Sequence, residues 1–64
     1  MVISGIYAAK LEQEGIGTLL VDGRTIIFVQ CDGLRVAWDC KTVREAKDML
    51  RLFRSAARER PEFH

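Results

Sequence analysis

Histidine is nearly missing from this chain: the only one, His64, is the last residue, so no internal imidazole is available as a general base or a metal ligand. The two cysteines, Cys31 and Cys40, lack the Cys-x-x-Cys spacing of a zinc site. The serines are Ser4 and Ser55, and neither has a base and an orienting group near it in sequence, as nucleophilic catalysis would need. The expectation is therefore a non-enzymatic protein with no catalytic residues, no metal and no cofactor. No apolar run approaches the ~20 residues of a membrane-spanning helix, and the first residues carry no basic stretch before an apolar one, so a cytoplasmic protein with reduced thiols is expected. The single proline, Pro61, is expected to stop the helix that precedes it. Net charge is only +1, too small by itself to mark a nucleic-acid binder.

What is present is a globular composition, 48% hydrophobic and 30% charged, in a chain of 64 residues. Residues 1–60 are read as one small domain and 61–64 as a frayed tail. A domain this small buries little of its surface and gains from a partner. Charge is uneven: residues 1–40 hold three basic and five acidic side chains, and residues 41–64 hold seven and four.

The central stretch, residues 18–40, alternates β-branched and aromatic residues around two Asp-Gly pairs, Asp22-Gly23 and Asp32-Gly33, each a hairpin signal. A two-residue turn at Asp32-Gly33 sets Val29 opposite Val36 and Ile27 opposite Trp38, with apolar residues matched throughout. The first Asp-Gly turn sets Leu20 opposite Thr25 and Leu19 opposite Ile26, with a longer loop that includes Arg24 as the alternative. Residues 2–11 are taken as a further strand turning at Gly15, with a short helix from Tyr7 to Glu14 as the alternative. After Cys40 the period becomes helical. Thr42 and Glu45 form a capping box, and Val43, Ala46, Met49, Leu50, Phe53 and Ala57 fall on one stripe, predicting a helix over 43–58. The fold class is α+β, a four-stranded antiparallel meander with one C-terminal helix on one face.

In that arrangement the helix covers Tyr7, Leu20, Ile27, Val29, Val36 and Trp38. The opposite face holds Ile6, Leu19, Val21, Ile26 and Phe28, with Ala8 and Ala37 beside them, an apolar group that calls for a cover. A second copy of the chain, closure of the sheet into a small barrel, or a different protein target would each supply one; a homodimer through this face is the leading expectation. On the helix, Arg44, Lys47, Arg51, Arg54 and Arg58 follow spacings of three and four, a basic flank for an anionic partner or an ordinary solvated face.

Strands followed by a helix opening with Thr42-Val43-Arg44-Glu45-Ala46 resemble the arm-binding domains of tyrosine integrases and the HicB-type antitoxins, over residues 18–58 in layout. The integrase resemblance implies DNA reading by the sheet, where this chain offers only Arg24 and Arg35. Gly5-Ile6-Tyr7 with Gly15-Ile16-Gly17 resembles the opening hairpin of GrlR-type secretion regulators. In scale and layout the chain also resembles phage-encoded inhibitors, including anti-CRISPR proteins. The functional expectation is a small protein-interaction or regulatory module, phage-inhibitor-like and homodimeric. The alternative is a nucleic-acid-binding module that uses the basic helix flank.

Overall fold

The N-terminal segment is a helix, and this changes how the whole sheet is covered. The structure, a computed structural model, describes residues 4–59; the expectations for the first residues, Arg60 and the tail lie outside them. Five elements follow in order: α1 (Gly5–Gln13), β1 (Gly17–Asp22), β2 (Thr25–Gln30), β3 (Arg35–Asp39) and α2 (Val43–Glu59). The fold is α+β, a three-stranded antiparallel meander in the order β1-β2-β3 with a helix at each end, and not four strands with one helix.

Local chemistry explains α1. Ser4 is its N-cap, its hydroxyl accepting the Tyr7 N–H at 3.1 Å. At the other end Gly15 takes φ +78°, its N–H donates to the Glu12 carbonyl at 3.1 Å, and the Ile16 N–H donates to the Leu11 carbonyl at 3.0 Å. That is a Schellman motif, with Leu11 and Ile16 in the positions of its apolar contact. The glycine expected to turn a hairpin instead ends a helix. Gly5, Ala8 and Ala9 form the buried stripe, so the helix packs through small residues against α2, whose own buried residues are Ala46 and Ala57. A Cβ on Gly5 would overlap the Phe53 ring, so this crossing requires a residue without a side chain.

The start of α2 follows the expected capping box in part. Thr42 Oγ1 accepts the Glu45 N–H at 3.0 Å, but the Glu45 carboxylate accepts the Lys41 N–H, at 3.0 Å, one residue earlier than the usual reciprocal bond.

The second hairpin differs from the expected register by one residue. Gln30 and Leu34 close the turn, with the Gln30 N–H donating to the Leu34 carbonyl at 2.7 Å and the Gly33 N–H to the Gln30 carbonyl at 2.9 Å. The loop is therefore Cys31-Asp32-Gly33, a three-residue connection whose last residue is left-handed, with Gly33 at φ +98°. Asp32 Oδ1 braces it by accepting the Leu34 N–H at 2.9 Å. The extra loop residue places Trp38 opposite Ile26 and Val36 opposite Phe28. In the first hairpin the loop is Gly23-Arg24, so Leu19 faces Phe28 and Leu20 faces Ile27, two residues from the expected pairing. A shift of two keeps each side chain on its face, and a shift of one exchanges faces.

Those two facts account for the core. One side of the sheet carries Leu19, Val21, Ile26, Phe28, Val36 and Trp38, and both helices lie on it. Leu19 is 3% exposed, and Ile26 and Phe28 are fully buried. Ile6 and Val21 are half-buried against the same cluster. The group expected as an open interface is thus the interior of a single chain, because α1 supplies a second cover. Of the residues expected beneath the helix, Val36 and Trp38 are there, with Trp38 tilted against Phe53 at 5.9 Å between ring centroids. Tyr7 and Leu20 are instead exposed, at 40% and 41%, and Ile27 and Val29 join Leu20 and Ala37 on the uncovered side.

Candidate functional site

The basic flank of α2 is where the chain gathers charge. Spacings of four, three and four residues carry Lys47, Arg51, Arg54 and Arg58 around one side of a straight helix, and these four with Leu50 line a cleft of about 330 Å³. Arg44, the fifth expected member, stands apart: its Nε lies 4.0 Å from Asp48 Oδ2 and its side chain is almost wholly in water.

Arg54 is committed inward. Its Nε donates to Glu12 Oε1 at 2.9 Å, its Nη2 to Glu12 Oε2 at 3.0 Å, and the same Nη2 to the Leu19 carbonyl at 3.2 Å. Glu12 Oε2 also accepts the Leu19 N–H at 3.0 Å. One carboxylate and one guanidinium thus join α1, β1 and α2, and bind both backbone groups of a residue on the outer edge of the sheet. Burial alone would raise the Glu12 pKa; the hydrogen bonds from Arg54 and from the Leu19 N–H, with the Arg54 charge, outweigh it and hold the carboxyl below its ordinary value. The same pairing raises the Arg54 pKa.

Arg54 therefore shapes the cleft more than it offers charge to a ligand. Lys47, Arg51 and Arg58 have no carboxylate within ion-pair distance among the described residues. Two guanidinium forks and an ammonium beside the apolar Leu50 suit carboxylates or phosphates attached to a partly apolar body. Sequence reasoning found the stripe but missed Glu12 as a partner. The two residues of that pair are 42 apart, and only the packing of α1 on α2 brings them together.

Of the other expected site, Leu19, Ile26 and Phe28 are buried, and Val21 on the sheet and Ile6 on α1 are half-buried against them. A second depression, about 400 Å³, lies at the far end of the uncovered face, where Gly15, Ile16, Thr18, Leu20, Val29 and Cys31 are among its walls. Cys31 is exposed, Cys40 half-buried, and both are free thiols. Among the described residues no group of three or more His, Cys, Asp or Glu could hold a metal ion, and no helix is long and apolar enough to cross a membrane. Compared with protein-family models, with curated proteins and with solved structures, the chain matches none.

Proposed function

We propose that this chain is a non-enzymatic interaction module, a regulatory or inhibitory protein of the phage-inhibitor kind, that recognises an acidic protein surface through the basic flank of α2. The observation that carries the reading is the convergence of Lys47, Arg51 and Arg58, uncommitted to any described carboxylate, around the apolar Leu50. Apolar floor and basic walls complement a protein segment that mixes acidic and apolar residues. Several groups capable of chemistry have structural work already: Ser4 caps α1, Asp32 braces a turn and Glu12 holds Arg54. The two free thiols suit a reducing cytoplasm.

A pull-down from the native host tests it, comparing wild type with Lys47→Glu and Arg51→Glu. The expected result is a protein retained by wild type, insensitive to nuclease, and lost from both variants. Retention that ignores the charge reversals overturns the reading.

A nucleic-acid partner is the second reading, favoured by the length of the stripe: Lys47 to Arg58 spans ~16 Å of helix, long enough to follow successive phosphates. With about three uncommitted cations rather than five, binding to duplex DNA should weaken roughly 40-fold between about 50 and 200 mM salt. A mobility-shift titration that shows no complex at low salt removes it.

A further inference from the structure

The two edges of this sheet are treated differently. On β1, the Ile16 carbonyl accepts the Cys31 N–H at 2.9 Å, which turns the even-numbered residues toward β2 and Leu19 outward. Glu12 and Arg54 then take both backbone groups of Leu19, so an incoming strand finds the middle of that edge occupied. On β3, the bonds from the Gln30 N–H to the Leu34 carbonyl and from the Cys40 N–H to the Arg24 carbonyl turn the even-numbered residues toward β2. Arg35, Ala37 and Asp39 therefore point their N–H and C=O groups outward, and among the described residues these groups have no partner.

We propose that the β3 edge is a homodimer interface, pairing antiparallel with β3 of a second copy about a two-fold axis at Ala37. This goes beyond the reading of α2 and does not depend on it. Charge complementarity selects the register. Only odd-numbered residues offer outward groups, so each must face an odd-numbered residue of the other copy. With the axis at Arg35 or at Asp39, like charges face each other directly. With the axis at Val36 or Trp38, one charge of each copy faces Ala37 of the other. With the axis at Ala37, Arg35 faces Asp39 of the second copy and Asp39 faces Arg35, two opposite-charge pairs on the uncovered side of the sheet. The Thr25 hydroxyl, donating to Asp39 Oδ1 at 3.0 Å, already orients that carboxylate and leaves its other oxygen for the arginine.

The covered side agrees in the same register. Val36 faces Trp38 of the second copy and Leu34 faces Cys40, so every facing pair is apolar. Val36, Trp38 and Cys40 are half-buried in one chain and Leu34 is 46% exposed, so each has surface left to bury. A two-fold normal to the sheet keeps both helix layers on one side. The result is a six-stranded sheet closed at its two outer edges by the Glu12–Arg54 pairs.

Sedimentation equilibrium over a wide concentration range, with charge exchange, tests this. Wild type is expected at twice its 7.3 kDa mass. Arg35→Asp alone and Asp39→Arg alone put like charges at both facing positions, and each should weaken self-association at least about tenfold. The two variants mixed in equal amounts should pair with one another, because each supplies the charge the other lacks, and a chain carrying both changes should dimerise again. Ala37→Pro deletes an outward N–H that the single chain does not use, so its circular dichroism should stay native while the dimer is lost. A monomeric wild type, single variants that dimerise like wild type, or a mixture that stays monomeric overturns the proposal.

Discussion

Replacing Glu12 by glutamine tests the junction that ties both helices to the sheet. The carboxylate accepts three hydrogen bonds, from Arg54 Nε, Arg54 Nη2 and the Leu19 N–H. An amide has one oxygen in place of two, so in either orientation its NH₂ opposes at least one donor, and the charge is lost. A hydrogen bond to a charged group is worth about 1.5–3 kcal/mol. Because the Arg54 side chain is 44% exposed and water replaces part of what is lost, the expected cost is about 1–2 kcal/mol. For a domain this small that lowers Tm by about 4–16 °C. A cycle with Arg54→Met should return a coupling energy of about 1 kcal/mol. The pH dependence identifies the cause. A carboxyl whose native pKa lies below its unfolded value contributes stability that is present above the ordinary 4.5 and is lost as pH falls through the native value. Thermal melts followed by circular dichroism should show a constant gap between wild type and Glu12→Gln around neutral pH, narrowing below about 4.5. A gap that is absent at neutral pH, or that is the same well below 4.5, refutes the assignment.

Gly5→Ala should destabilise by about 1–3 kcal/mol in chemical denaturation although alanine is the better helix former, because its Cβ meets the Phe53 ring. Equal or greater stability would show that α1 and α2 do not approach this closely. Phe28→Ala empties the centre of the core and should cost about 3–5 kcal/mol, enough to leave much of the chain unfolded; a native melting curve would place Phe28 outside the core. Thr42→Ala removes the acceptor for the Glu45 N–H and should cost about 0.5–2 kcal/mol, read as lost helical signal and a lower denaturation midpoint.

Elements governed by contiguous residues were legible in the sequence. The helix over 43–58 agrees with Val43–Glu59 to one residue, since a threonine cap and an apolar stripe of period 3.6 act within a few turns. All three central strands stand where the β-branched runs placed them, and each Asp-Gly pair lies at a turn, although the loops are Gly23-Arg24 and Cys31-Asp32-Gly33 rather than the two dipeptides themselves. The N-terminal helix was harder to read because its buried stripe is glycine and alanine, which packs closely but carries almost no hydrophobic contrast. Its signals were the Ser4 cap and the Leu11, Gly15, Ile16 stop, and the glycine has a second use as a turn residue in a hairpin.

The amino-acid order by itself determined the α+β class, the three central strands, the length of α2 and a basic stripe from Arg44 to Arg58, of which Arg44 stands outside the cleft. Tertiary structure alone decided which face of the sheet is interior. That choice turned on one loop residue, Cys31, whose inclusion in the second turn shifted β3 by one position, and on α1 packing as a second cover. Tertiary contact also separated the charges of the stripe, drawing Arg54 to Glu12 and leaving Lys47, Arg51 and Arg58 exposed to solvent. The second cover and the separated charges depend on residues distant in sequence meeting in space, which local periodicity and capping chemistry do not encode.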